Sequence, residues 1–476
     1  MKISQIESIY ISALKANPQN ARTHSNKQVK QIAESIRTFG FTNPILIDSQ
    51  NMILAGHGRL AAARLLGMDQ ISCLRIENMT AVQKRAYVLA DNKLALNAGW
   101  DEEILALELG DLIKMHPEFD VEITGFSIAE VDLLIEGIDF EERGNFKEDI
   151  LPGISSAPPI TQFGEVWQLG GHRLVCGNAL LPETCSTLMN GEKAQMVFTD
   201  PPYNVPIAGH VGGLGKTKHR EFAMASGEMT PPEFIAFLES AFRNLVSFTV
   251  EGSIHFVCMD WRHLHEILTA GNASYSELKN LIVWSKDNGG MGTFYRSRHE
   301  LIFAFKNGAA PHINSFELGQ HGRYRTNVWD YRGVNTLKSG RMDEFRLHPT
   351  VKPVAMIADA IKDVSKRNGI VLDIFGGSGS TLIAAHKTGR RAFVCEIDAI
   401  YCDCIIQRWQ TYSNDDAILI ATGHTFNQIE AAIKNRMAES ARTEQLDRPV
   451  SNAQTLSAES DLQISNRAAL FSGAEG

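Results

Sequence analysis

The chain has 476 residues, 44% of them hydrophobic, and a formal net charge of −9, more length than one hydrophobic core usually serves, so two folded units are expected. No apolar run reaches the roughly 20 residues a membrane helix needs, and Met1 to Tyr10 lacks both a basic start and a long apolar stretch, which argues against a membrane partner and against export and points to the cytoplasm. The seven cysteines are odd in number and scattered, and the Cys402, Cys404 spacing does not recur in zinc sites; neither a disulfide framework nor a structural metal is implied.

In chain order, Gln28 to Phe39 has helical spacing, Pro44 to Asp48 reads as a short apolar strand, Arg59 to Leu66 as a helix closed by Gly67, and Ala81 to Leu96 as another helix. Carboxylates gather in Asp101 to Asp149, an acidic helical extension of this compact α/β unit. Between Gly144 and Gln162 the chain turns rich in Pro, Gly and Ser and loses periodicity, which marks a domain boundary. Beyond it, Ala194 to Thr199, Ser253 to Cys258, Leu281 to Ser285, Leu301 to Phe305, Ile370 to Phe375 and Arg391 to Glu396 are apolar segments. They alternate with helical ones such as Phe234 to Val246, Val354 to Val364 and Thr381 to Lys387, the pattern of a doubly wound α/β sheet. The expected division is 1-115 for the first unit, 116-160 for extension and linker, 161-430 for the second unit, and 431-476 for a polar, weakly periodic tail with at most one helix.

Two motifs carry chemistry. Asp200-Pro201-Pro202-Tyr203 closes an apolar strand. An exocyclic amino nitrogen on adenine or cytosine is a poor nucleophile because its lone pair is delocalised into the ring. The Asp200 carboxylate and the Pro201 carbonyl can each accept one N–H bond and draw that lone pair back, while Pro202 stiffens the turn and Tyr203 offers a face for an extruded base. Further on, Leu372 to Thr381 reads as strand, glycine turn and helix start, with Gly377 and Gly379 permitting close backbone approach to a ligand. Glu396, at the end of the next strand, can accept from both ribose hydroxyls of an adenosine. A dinucleotide enzyme would share the second motif; both together argue for methyl transfer from S-adenosylmethionine to a nucleobase. From Phe294 to Lys352, basic residues including Arg296, Arg323 and Arg325 interleave with aromatics, which suits DNA or an ordinary solvated face.

On these residues, the segment from about Gln162 to Gln428 resembles the β group of permuted amino-methyltransferases that act on DNA. The resemblance implies a Rossmann-like S-adenosylmethionine-dependent fold, with Asp200 to Tyr203 as the catalytic loop. It makes Asp373, Phe375, Gly376, Gly377, Gly379 and Ser380 the cofactor loop and Glu396 the ribose ligand. His348-Pro349-Thr350-Val351-Lys352-Pro353 is similar to the family's segment at the cofactor's methionine end, which assigns Thr350 and Lys352 there. Asn178 stands where the family usually has an Asp that binds the adenine amino group; its carbonyl oxygen can still accept. Leu281 to Lys286 and Arg298-His299-Glu300 resemble the walls of the target-base pocket, and about 308-345 falls at the family's target-recognition region. Double-stranded DNA is the implied partner, and a homodimer or a companion restriction enzyme is compatible with the likeness.

Asn17-Pro18, Phe41-Thr42-Asn43-Pro44 and Gly56-His57-Gly58-Arg59 resemble the ParB and sulfiredoxin-like fold over about Ile6 to Trp100. Sulfiredoxins carry a cysteine where His57 stands, so their redox chemistry is not implied, and partition proteins usually carry arginine where Gly58 stands. Arg59 is left as a phosphate contact. The whole arrangement is similar to proteins common in phages and prophages. The expected activity is N6-adenine methylation of DNA. The alternatives are N4-cytosine methylation and a DNA-binding regulator with a degenerate methyltransferase half. A C5-cytosine enzyme needs a cysteine nucleophile, and no Pro-Cys pair occurs.

Overall fold

The computed structural model describes residues 3–116, 119–139, 148, 152, 158–205, 225, 227–287, 295–316, 325–333 and 351–446. An N-terminal four-stranded sheet runs in the order β1 (Ile3–Tyr10), β4 (Gln70–Ile76), β2 (Ile45–Ile47), β3 (Ile53–Ala55). β1 is antiparallel to β4, β4 parallel to β2 and β2 antiparallel to β3. Ile45, Ile47, Ile53, Leu60 and Cys73 form its core with α1 (Asn26–Phe39) and α2 (His57–Leu65) nearby. Local chemistry sets the helix starts. Ser25 accepts from Gln28 N–H at the head of α1, Thr80 and Gln83 make a capping box for α3 (Ala81–Ala95), and Gly56, at φ 105°, lets α2 begin at His57.

α4 (Glu102–Met115) and α5 (Ile128–Asp139) pack together around Leu109, Val121, Ile128 and Val131, so this helical pair runs across residue 115. The pair touches both neighbours. Its connecting turn, Val121–Thr124, lies against α1, while Asp132 of α5 is inserted between Arg367, at 2.7 Å, and Arg390, at 3.1 Å. Asp132 is 3% exposed. Burial alone would raise its carboxyl, but the Arg390 and Arg367 guanidiniums outweigh it and hold the carboxyl below its ordinary range. Glu122 adds a pair with Lys366 at 3.0 Å.

The second sheet has ten strands, in the order β11 (Val328–Asp330), β9 (Glu277–Ser285), β10 (His299–Lys306), β8 (Thr249–Met259), β7 (Ala194–Thr199), β12 (Ile370–Asp373), β13 (Arg391–Glu396), β6 (His172–Cys176), β5 (Val166–Leu169), β14 (Ile418–Leu419). The run β8, β7, β12, β13, β6 is parallel throughout. Its central strands are buried on both faces, as a sheet with helices on each side requires. One apolar layer includes α9 (Val354–Val364), α10 (Ser380–Lys387) and α11 (Ala399–Ser413); the other includes α6 (Pro182–Met189), α7 (Pro231–Ser247) and α8 (Leu264–Ser274). A last helix, α12 (Phe426–Leu446), continues into the stretch expected to be a tail; residues 447–476 lie outside the described residues. No helix among the described residues is long and apolar enough to cross a membrane.

Candidate active site

Open parallel sheets bind ligands beyond the carboxyl ends of their strands, and three neighbouring ends here carry the polar residues. Asp200 follows β7, Asp373 ends β12 and Glu396 ends β13. β7 and β12 pair directly, with Val371 opposite Met196 and Leu372 opposite Val197. The two loops are also joined by side chains, since Thr199 Oγ1 donates to Asp373 Oδ1 at 2.8 Å. Asp373 Oδ1 accepts Phe375 N–H as well, and burial pushes the carboxyl up to about 6.

The turn after β12 is shaped by its glycines. A Cβ on Gly376 would lie 2.4 Å from Val394 Cγ1, so this position packs on β13 only as glycine. Gly377 has φ 50° and open space where a Cβ would stand. Its N–H donates to Glu396 Oε2 at 2.8 Å, and Asp398 N–H donates to Oε1 at 2.9 Å. Glu396 is 8% exposed, and burial pushes its carboxyl up to about 7. Asn178 follows the neighbouring β6; Gly177 N–H donates to the Glu396 carbonyl, and Asn178 Oδ1 accepts Leu180 N–H at 2.9 Å. Phe375 packs on Phe237 with ring centroids 5.9 Å apart. Buried Arg408 donates to the Ser378 carbonyl at 2.8 Å and to Ser380 Oγ at 3.2 Å, and also to the Glu148 carbonyl at 2.8 Å, which ties the loop to the interdomain stretch.

Around Asp200 the charges are densely paired. Tyr203 donates its hydroxyl to Asp200 Oδ1 at 2.7 Å, with Glu300 Oε2 at 3.2 Å from the same oxygen. Lys352 Nζ contacts Asp200 Oδ2 and lies 3.2 Å from Glu300 Oε2, while Lys286 Nζ pairs with Glu300 Oε1. Burial raises the Asp200 carboxyl; burial also acts on Glu300, but Lys352 and Lys286 hold that carboxyl down to about 2. Asn204, at φ 52°, anchors the loop's far side: its Oδ1 accepts from Gly227 and Met229 N–H, and its Nδ2 donates to the Met229 carbonyl. Sequence reasoning missed Asn204 and Arg408. The signal for the first was an Asn, the non-glycine residue most tolerant of left-handed backbone, just after the tetrapeptide.

The structure thus brings Asp200, Pro201, Pro202, Tyr203, Asp373, Phe375, Gly376, Gly377, Gly379, Ser380, Glu396 and Asn178 to one edge of the sheet. Lys352, assigned by family likeness to the cofactor's methionine end, has its ammonium on Asp200 and Glu300. Thr350 and Arg323 lie outside the described residues, as does much of 308-345. Arg296 is exposed. Arg325 pairs with Asp363 at 3.0 Å, donates to Tyr331 and covers Trp329 at 4.8 Å, so its charge is engaged within the fold.

In the N-terminal unit, Phe41, Thr42, Asn43, Arg59 and residues of the Val121–Thr124 turn line a cleft of about 470 Å³. Arg59 NH1 donates to the Asn43 and Pro44 carbonyls at 2.7 and 2.9 Å. A Cβ on Gly58 would lie 3.0 Å from both the His24 ring and Ile32 Cδ1. His57 Nε2 accepts Asn17 N–H at 3.2 Å, a turn-fixing contact.

The "DNA methylase" family matches residues 194–408, the "ParB N-terminal domain" residues 1–93 and the "ParB-methyltransferase HTH domain" residues 103–163. The ParB-like nuclease domain-containing protein YnaK of Escherichia coli (strain K12) is 52% identical over 66 residues, 14% of this chain and 76% of that protein. The DNA adenine methyltransferase YhdJ of the same strain is 27% identical over 259 residues, 48% of this chain and 79% of that protein. The crystal structure of the M1.HpyAVI-SAM complex superposes with a TM-score of 0.37 at 18% identity, covering 49% of this chain and 97% of that one. The chain thus carries a DNA methylase domain of the N6/N4 type behind a ParB N-terminal domain and a ParB-methyltransferase helix-turn-helix domain.

Proposed function

We propose that the chain methylates the N6 amino group of adenine in DNA, and that the residues at the ends of β7, β12 and β13 carry the reaction. The observation that carries this reading is the adjacency of Asp200 and the glycine turn, bonded through Thr199 and Asp373. The open space at Gly377 and the buried Glu396 carboxylate beside it fit the ribose end of S-adenosyl-L-methionine, with Asn178 one strand further on for the adenine. Bound there, the cofactor supplies an electrophilic methyl group on a sulfonium.

The target amino group sits against Asp200 and the Pro201 carbonyl, each accepting one of its N–H bonds. That pulls the nitrogen toward tetrahedral geometry and frees its lone pair. Asp200 accepts the proton that the methylated nitrogen must shed, which returns the base to neutrality. Because this amino group is inaccessible within a duplex, the base leaves the stack and lies along Tyr203. Arg296, Arg323 and the stretch 308-345 contact the DNA. The unit ending near residue 93 and the helix-turn-helix pair after it serve as an accessory DNA-contacting module.

The test is to incubate the purified protein with unmethylated DNA and S-adenosyl-L-methionine, digest to nucleosides and identify the product by mass spectrometry, with Asp200→Ala alongside. N6-methyladenine that vanishes in the variant supports the reading. N4-methylcytosine would keep the chemistry and change the base, and DNA binding without any methylated nucleoside would point to a regulator.

A further inference from the structure

We infer that Lys352 is a positioning residue for the transfer step: it acts through Asp200, fixing the carboxylate's aim and keeping it ionised, while Glu300 and Lys286 hold Lys352 in place. This rests on the reading of Asp200 as the acceptor of the target amino group. The geometry is that of a two-by-two charge set, two carboxylates and two ammoniums in alternation: Lys286 on Glu300, Glu300 on Lys352, Lys352 on Asp200. Lys352 is only 5% exposed and lies over the Tyr203 ring at 5.4 Å. Its backbone is fixed by Pro353, the N-cap of α9, and by the fully buried Val354 that follows.

The charge arithmetic explains why a cation belongs there. Two carboxylates this close cannot easily both stay ionised, since each raises the other. Burial and Glu300 both raise the Asp200 carboxyl, and Lys352 opposes them. A protonated Asp200 would lose acceptor capacity at the point where the amino group needs it. Among the described residues the other groups facing Asp200 do not supply a compensating cation: Tyr203 donates a neutral O–H, the Cys258 thiol of β8 is pushed up by burial and stays uncharged, and Asp373 of β12 is a carboxylate reached through Thr199. Lys352 holds Oδ2 and Tyr203 holds Oδ1. A carboxylate has about four acceptor sites, so one remains for the base on each oxygen.

The experiment measures methyl transfer to unmethylated plasmid DNA across pH, and S-adenosyl-L-methionine affinity by calorimetry, for the wild type, Lys352→Met, Lys352→Arg and Glu300→Gln. Activity needs ionised Asp200, so it falls as pH drops through that group's pKa. Lys352→Met should leave cofactor affinity within about twofold, lower kcat by about 100-fold and move the acid limb up by at least about one pH unit. Lys352→Arg should restore the limb and part of kcat. Glu300→Gln should move the limb the opposite way, to lower pH, and it keeps the inference testable if Lys352→Met fails to fold. An unmoved limb with weakened cofactor binding in Lys352→Met would overturn the inference and return Lys352 to the cofactor. An unmoved limb in Glu300→Gln would overturn it too. A wild type that forms no methylated nucleoside would overturn the underlying reading and this inference with it, and so is distinguishable from either.

Discussion

The two ends of this chain hold motifs of similar clarity in sequence and treat them differently in space. Beyond β7, β12 and β13, the polar groups are held from behind by backbone N–H donors and neighbouring side chains, and a glycine at positive φ leaves room in front of them. In the N-terminal cleft the reverse holds. Arg59, the motif's cation, donates to two carbonyls of the Phe41 to Pro44 loop, and His24 fills the space a side chain at position 58 would take. A motif supports chemistry only where the fold braces its side chains without consuming them. By that measure the strand ends suit the proposed reaction, while Arg59 is spent on the backbone of its own loop.

Substitutions at each place can break this contrast. The largest effect is expected at Asp200: changing it to Ala should cost about 10³-fold or more in turnover, with cofactor affinity nearly intact, because on the proposed reading its bonds form to the reacting amino group. Retained turnover would remove it from the mechanism. Next comes the seam joining the two regions. Asp132→Ala leaves Arg367 and Arg390 facing each other without their shared carboxylate, which should destabilise the protein by about 3–5 kcal/mol in urea unfolding. Because the folded Asp132 carboxyl lies below its ordinary value, its contribution is complete above the unfolded value and is lost as pH falls through the folded one. A loss below about 1 kcal/mol would mean the domains do not depend on this seam.

A smaller effect concerns Glu396, which burial pushes up to about 7. If the ionised form accepts from both ribose hydroxyls, as proposed, cofactor affinity should fall about tenfold between pH 8 and pH 6 and be flat in Glu396→Gln. A flat wild-type profile would unseat the ribose assignment. The smallest effect on activity is expected at Arg59. Arg59→Ala should cost about 1–3 kcal/mol of N-terminal stability through its two lost bonds and leave the methylation rate unchanged. A fall in rate on short duplexes would show that the cleft takes part after all.

The strands and turn that carry the candidate site were legible in sequence, because their signals are local. The apolar runs before Asp200, Asp373 and Glu396 are strands buried on both faces, and the glycine turn declares itself by composition. What stayed hidden depends on partners far apart in the chain. Lys352 finds Asp200 across 152 positions, and Asp132 finds Arg390 across 258. No periodicity encodes such pairs. β1 was hidden for another reason. Ile3–Tyr10 mixes apolar and polar residues and becomes a strand by pairing with β4, whose own sequence shows only partial burial.

The pairing of β7 with β12 has an implication for how such enzymes diversify. Between Thr199 and Asp373, a separation of 174 positions, the chain lays β8, β9, β10 and β11 on one side of β7 and then returns to pair β12 on its other side. The gap between the loops that follow β7 and β12 is therefore gauged by one inter-strand spacing, about 4.8 Å, whatever the excursion contains. A segment inside that excursion can be lengthened, exchanged or rebuilt while the ruler stays untouched.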